Sequence, residues 1–360
     1  MDGLERRHAL GQGSLQLRKL RALTAGGCAW ATLPAAGVSV CPGAGSGQIM
    51  PMAISCENGV KKCLDLEYCV AKKDLLTEEP VELKDYTGTM GEAGGTYYEF
   101  GNFPQTESQI NKYSEVPVYN GWYLGSDGYF YAKVKENAYK SGYKYSNGTD
   151  VAQSSANSYK YFKVEPIKWR VLTDNYNGKK LLLSENILIN HMYAESSNNY
   201  ENSEIRTYLN GSFWNTAFTA SAKSMIDDET DVDNSATSTN PNSNPRLWDD
   251  GTNDYTCSNT IDKIFLLSEK EVTTADYGFT ECNVYGVGNS RIRMTTDFAK
   301  ASGAWQSTTA DCGGWWWLRS PSFFYGLYAR HVGDDGNAFS LSSNVSNTEG
   351  GVCPALCLKN

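Results

Sequence analysis

Two cysteines near the end of this 360-residue chain, Cys353 and Cys357, are the side chains best spaced for covalent chemistry. On a strand, positions four apart point to one face and would pair the thiols. Their neighbours argue for inert thiols instead: no basic residue beside them would lower a thiol pKa, and Val352, Ala355, Leu356 and Leu358 are core types. His191 and His331 are the only histidines outside the N-terminal tail, and the chain has no Gly-x-Ser-x-Gly elbow, His-Glu-x-x-His helix or phosphate loop. Cys56, Cys63 and Cys69 are too widely spaced for a zinc knuckle, while Cys257, Cys282 and Cys312 stand alone. Asp227, Asp228, Asp231 and Asp233 offer hard oxygens suited to calcium, yet the glycine-bearing spacing of an EF-hand is missing. Trp248-Asp249-Asp250 likewise matches a calcium-lectin Trp-Asn-Asp motif poorly. The reading is therefore no enzyme, no cofactor and no metal.

Side chains suited to contact, rather than to catalysis, gather between Ser322 and Thr348. Phe323, Phe324, Tyr325, Leu327, Tyr328 and Phe339 fall within 17 residues, and exposed aromatic patches of that density mark contact sites. His331, Asp334, Asn337, Leu341, Ser343 and Asn344 follow the same stretch, with Ser346 and Asn347 closing it. Rigid aromatics beside small polar groups resemble a paratope. These fourteen residues are the candidate ligand-binding set, with Val332, Ala338 and Val345 as the inward positions between them. The 27 residues contain no Lys, Glu, Gln, Trp or Met, although those types make up 65 of the 360. About five would be expected at the composition of the whole chain.

Such a surface needs a frame. Trp315-Trp316-Trp317-Leu318-Arg319-Ser320-Pro321 before it and Gly351-Val352-Cys353-Pro354-Ala355-Leu356-Cys357-Leu358 after it read as core strands, with Asp335-Gly336 as a turn between them. Upstream, Tyr97–Gln105 reads as a strand, and 164–172 with 180–184 as a hairpin around Asn177-Gly178. The Tyr-rich insert 118–162 packs as hairpins or, alternatively, binds glycans. Short helices are expected over 203–209, stopping at Asn210-Gly211, over 219–226 and around 296–303. Ile261–Ser268 reads as one buried strand. Residues 227–254, rich in Asp, Asn, Ser, Thr and Pro, read as a flexible insertion.

The first part of the chain differs. Arg6, Arg7, Arg18, Lys19 and Arg21 precede an Ala/Gly-rich run over 22–40, the order of a secretion signal and too short to span a bilayer as a helix. Residues 1–55 are thus a signal, lipidation segment or disordered start, 56–95 a tether or small subdomain, and 96–360 the domain proper. Leu23-Thr24-Ala25-Gly26-Gly27-Cys28 only loosely resembles a lipoprotein cleavage site. The expected place is the cell surface or outside the cell, with lipid anchoring as an option. A net charge of −9 with no Lys/Arg cluster beyond residue 21 excludes nucleic acid as partner and favours a protein or cell-surface ligand.

Several phrases together resemble a known family. Trp316-Trp317-Leu318-Arg319-Ser320-Pro321, Val332-x-x-Asp335-Gly336, Val345 and the Gly-Val-x-Pro-Ala-Leu close are similar to the variable region of C-type-lectin-like proteins diversified by bacterial and phage retroelements. Phe103-Pro104-Gln105-Thr106, Pro166-Ile167-x-Trp169-Arg170-Val171-Leu172, Leu182-Leu183-Ser184-Glu185, Ile205-Arg206-x-Tyr208-Leu209-Asn210 and Phe265-Leu266-Leu267-Ser268 resemble a bacterial domain of unknown function with a sulfatase-modifying-factor-like fold. The resemblance implies an α+β, C-type-lectin-like fold: a small twisted antiparallel sheet, two short helices, long inserted loops and terminal strands brought together. It implies, too, that adenines of Asn-type codons are randomised, and such codons cannot yield the five missing residue types. Formylglycine-generating enzymes share that fold and work through paired cysteines, so the resemblance also implies an alternative, an oxidoreductase using Cys353 and Cys357. Cys353 stands where the family usually has Arg, which puts a framework salt bridge in doubt.

Overall fold

The computed structural model describes residues 76–88, 95–234, 257–279, 289–309, 311–322, 326–338 and 342–359. Short backbone pairings are also described between 31 and 67, among them Ile54–Glu57 with Val60–Cys63.

Two mainly antiparallel sheets and a few short helices make up the domain. Its strands in chain order are β1 (Val81–Glu82), β2 (Tyr97–Glu107), β3 (Tyr123–Leu124), β4 (Phe130–Lys135), β5 (Tyr159–Tyr176), β6 (Lys179–Ser184) and β7 (Ile189–Asn190). There follow β8 (Thr230–Val232), β9 (Thr260–Asp262), β10 (Trp316–Pro321), β11 (Tyr328–Val332), β12 (Ser342–Asn344), β13 (Gly351–Val352) and β14 (Ala355–Leu358). The larger sheet runs β14-β6-β5-β2-β1, with β4 on β5 and β3 on β4. The other runs β7-β13-β10-β11-β12. Where one small sheet was expected, the chain leaves one sheet after Val352 and enters the other at Ala355, with Cys353-Pro354 as the crossing. The first and last core strands, β2 and β14, share a sheet but are kept apart by β5 and β6.

Local signals explain most elements. Asn177 and Gly178 both take positive φ, 52° and 82°, as a two-residue turn between β5 and β6 requires. Ser203 caps α1 (Glu204–Tyr208) by accepting from the Arg206 amide, and Thr219 caps α3 (Ala220–Met225) through Ala222. The helix does not stop at Asn210-Gly211: it continues through a wider turn at Leu209–Phe213 into α2 (Trp214–Ala217). Asn210 is held there by tertiary contacts, its side chain donating to Ile264 O at 2.9 Å and accepting from the Lys263 amide at 2.8 Å. That outweighs its weak helix preference.

Ile261–Ser268 is likewise not one strand. β9 ends at Asp262, Phe265 makes two backbone bonds to Ala355, and Ser268 begins α4 (Glu269–Val272) with a capping box to Glu271. Residues 227–234, expected to open a flexible insertion, are structured. Asp227 is buried on Lys179 and Thr230, and β8 pairs with β9; the remainder of 227–254, from 235 onward, lies outside the described residues. The domain also begins before Thr96, because Asn102 exchanges hydrogen bonds with the Thr77 backbone at 3.0 and 3.1 Å and β1 pairs with β2. Trp169, Trp316 and Trp317 lie fully buried in the core, and α5 (Asp297–Ser302) packs against β2 through Phe298 and Phe103.

Candidate ligand-binding surface

The frame is where the sequence places it. Trp316, Trp317 and Leu318 are fully buried, and their indole groups donate to Arg291 O and His191 O at 3.1 and 2.9 Å. Trp315 is half-buried, its ring 4.8 Å from that of Trp317. Gly350 lets these rings sit tight, since a Cβ there would stand 2.1 Å from Trp317 Nε1. Arg319 is buried against Glu271, donating at 2.8 Å to its carboxylate, and also to Leu266 O and Asp233 O.

Between the frame strands, register decides which side chains share a face. Tyr328 lies opposite Asn344, Ala329 opposite Ser343 and Arg330 opposite Ser342; Val332 faces Trp316 and His331 faces Trp317. Opposed residues of an antiparallel pair point to the same side. Tyr328 and Asn344 therefore share a face with Arg330 and Ser342, while Ser343 shares the other with His331 and Trp317. Leu327, 49% exposed, precedes β11 opposite Val345, whose amide donates to its carbonyl, and alternation puts it on the Ser343 side; Ser346 is exposed with Asn347 half-buried next to it. Asp334 and Asn337, both half-buried, sit in the turn at the other end of β11, roughly 20 Å along the strand from Leu327 at about 3.3 Å per residue. The structure thus divides the described candidates into Tyr328 and Asn344 on one face, Leu327 with Ser343 and His331 on the other, a turn pair at Asp334 and Asn337, and Ser346 with Asn347 in the turn after β12. Phe323, Phe324, Tyr325, Phe339 and Leu341 lie outside the described residues. Val332, Ala338 and Val345 are fully buried, as inward positions should be.

Two candidates carry structural duties. Asn344 Oδ1 accepts from the amide and the hydroxyl of Ser346, closing the turn after β12. His331 packs 4.9 Å from the Trp315 ring with its Nδ1 buried and unpartnered among the described residues. Burial, with the Arg330 charge adding to it, pushes its imidazole down to about 3, so His331 is neutral and part of the aromatic packing.

Backbone atoms tie the segment to its frame. The Asn198 amide donates to Gly326 O and its side chain to Tyr328 O, both at 2.9 Å. Val345 O accepts from the Tyr193 and Ala194 amides, Val345 N donates to Leu327 O, and Arg291 Nε donates to Gly336 O. The role of the 193–198 loop carried no sequence signal. Nor did Arg330, a charged residue in a stretch that reads as exposed: it is buried, with its Nε 3.3 Å from Glu269 Oε2. The pair meets without hydrogen-bond alignment, so both Glu269 oxygens stay unpartnered among the described residues. Burial outweighs the nearby guanidinium and pushes the Glu269 carboxyl up to about 7.

The thiols offer no comparable site. Cys353 and Cys357 are free and buried, and burial pushes each up to about 12. Cys353 lies near Ser184 and Arg293, whereas Cys357 lies near Thr230 and Asp227. Among the described residues no group of three or more His, Cys, Asp or Glu is arranged to hold a metal, and no helix is long and apolar enough to cross a membrane.

No curated protein and no solved structure matches the chain. One family model does, over residues 177–360, just over half the chain and everything from the β5–β6 turn to the last strand. The frame and the candidate surface both fall within that match, and the chain belongs to the family described as a domain of unknown function, DUF6273.

Proposed function

We propose that this is a non-catalytic binding protein whose surface between Gly326 and Asn347 recognises a protein or cell-surface ligand. The observation that carries the reading is how the segment is anchored. Its ties to the frame run through the backbone carbonyls of Gly326, Tyr328, Gly336 and Val345, which any residue would supply equally. Side chains at Leu327, Asp334, Ser343 and Ser346 can then change without loosening the fold, because the fully buried positions are others. Such a division of labour suits a diversified surface. The lack of Lys, Glu, Gln, Trp and Met from 322 to 348 supports a retroelement that randomises adenines, on a C-type-lectin-like framework displayed at the cell surface.

Sequencing this segment and its neighbouring DNA across sibling isolates tests the reading. Differences should fall at the outward positions, spare Ala329, Arg330, Val332, Ala338 and Val345, and align with adenines of a near-identical template repeat beside a reverse transcriptase. Differences spread evenly over the domain, or no template repeat, would overturn it.

A further inference from the structure

The geometry points to a self-catalysed covalent cross-link, in which Lys160 condenses with the side-chain amide of Asn147, ammonia is released and Glu107 carries the protons. Strand pairing assembles the three groups. Glu107 ends β2 opposite Phe162 of β5 and is 7% exposed. Alternation along β5 turns Lys160 to the side of Phe162, which is fully buried. Asn147 belongs to a turn of the Tyr-rich insert in which the Gly148 amide donates to Tyr145 O at 2.9 Å. Ser146 fastens that turn to α5, its amide and hydroxyl both donating to the Asp297 carboxylate.

One carboxylate holds both reacting groups. Lys160 Nζ donates to Glu107 Oε1 at 2.7 Å and Asn147 Nδ2 donates to Glu107 Oε2 at 2.5 Å. Asn147 Oδ1 accepts from the amide and the hydroxyl of Thr149 at 2.9 and 2.8 Å. Each atom of the Asn147 amide thus has the partner that aminolysis requires: two donors on the oxygen that becomes negative, an acid–base group on the nitrogen that departs, and an amine on the same carboxylate. The buried Tyr145 ring covers one side of the lysine head, its centroid 5.9 Å from Nζ. Lys144 and Lys300 lie by the same turn but pair with Asp150 and Asp297, which leaves Lys160 as the nucleophile.

The step balances without a further reagent. Glu107 Oε1 takes one proton from the Lys160 ammonium, and the freed amine swings on its flexible stem to add to Asn147 Cγ. Thr149 holds the oxyanion that forms. Glu107 gives its proton to Nδ2, the Cγ–Nδ2 bond breaks, and the attacking nitrogen passes its second proton to the departing ammonia. Ammonium leaves through the open side of the site, where the Lys160 side chain is 36% exposed. An amide joins Lys160 to Asn147, and Glu107 is a carboxylate again. Two groups held on one carboxylate react at an effective concentration of about 10⁵ M or more once well oriented, which raises an otherwise negligible aminolysis. The competing attack on Cγ, by the Gly148 backbone nitrogen to give a succinimide, is opposed because that N–H is committed to Tyr145 O. The chain acts once and on itself, so the reaction accompanies a binding function and clamps the insert to β5.

Mass spectrometry of the full chain, intact and after proteolysis, tests the cross-link. The protein should be lighter than its sequence by about 17 Da, the mass of ammonia. Trypsin should pass over Lys160, and further cleavage before Asp150 by endoproteinase Asp-N should leave the two halves joined. Lys160→Arg, Asn147→Ala and Glu107→Gln should each keep the full mass, with the near-ultraviolet circular dichroism of Lys160→Arg matching the parent. Lys144→Arg, on the same turn, should lose ammonia as the parent does. Thr149→Val keeps the amide donor without the hydroxyl and should slow bond formation about tenfold or more. A parent chain that keeps its full mass after several days in neutral buffer, ammonia loss that persists in Lys160→Arg, or halves that separate on Asp-N cleavage would overturn the proposal.

Discussion

Arg330 and Glu269 meet 3.3 Å apart inside the protein, Arg330 on the strand that carries Tyr328 and on the same side of it, Glu269 at the start of α4. The contact joins α4 to β11, so this buried pair belongs to the frame.

Its titration gives the first prediction. Glu269 is pushed up to about 7 in the folded chain, from the ordinary value of 4.5, so the folded state holds a proton that the unfolded state releases between those values. Stability from this group is fully present below pH 4.5, declines as the pH rises toward 7, and is constant above; the loss is about 3 kcal/mol. Glu269→Gln should flatten that slope in urea unfolding at pH 4.5 and pH 8, staying near the parent at pH 4.5, where folded Glu269 is already neutral, and standing above it at pH 8. An unchanged slope in the variant would show that Glu269 titrates normally.

Trp316→Ala should cost about 3–5 kcal/mol, because the indole is fully buried and its N–H bond to Arg291 O is lost with it. A change under about 0.5 kcal/mol would mark a surface residue.

Gly350→Ala tests the same frame from the opposite direction. A methyl group 2.1 Å from Trp317 Nε1 forces the ring or the strand to move, with an expected loss of about 1–3 kcal/mol, read as a lower melting temperature. A variant as stable as the parent would mean that the tight Trp packing is absent.

Truncation locates the domain start. A chain beginning at residue 76 should melt like the full protein, whereas one beginning at 96 should lose about 1–3 kcal/mol, since buried Asn102 is then left without the Thr77 backbone. Equal melting of the two chains would assign residues 76–88 to a dispensable tether.

Much of this was legible in short windows. The Asn177-Gly178 turn, the caps at Ser203, Thr219 and Thr296, and the buried Trp316-Trp317-Leu318 run follow from local chemistry. What failed to show depends on residues far apart in the chain. Asn210 reads as a stop until Ile264 and Lys263 are seen to hold it. The split into two sheets turns on a crossing at Cys353-Pro354 that an unbroken apolar run conceals. In the candidate segment, the buried spacing of Val332, Ala338 and Val345 was readable, but register separates Ser343 and His331 from Tyr328, and no one-dimensional pattern reports register.

A fixed frame with an exchangeable recognition surface should tolerate a displayed library at its outward positions. Leu327, Tyr328, Asp334, Asn337, Ser346 and Asn347 would be randomised together and panned against a purified test protein such as lysozyme. A control library would randomise Val81, Glu82, Tyr139, Ile261, Glu115 and Val116, exposed positions elsewhere. Target-specific binders are expected from the first library only, each melting within a few degrees of the parent and losing its target when reverted. Unfolded clones throughout the first library, or binders recovered equally from both, would contradict it.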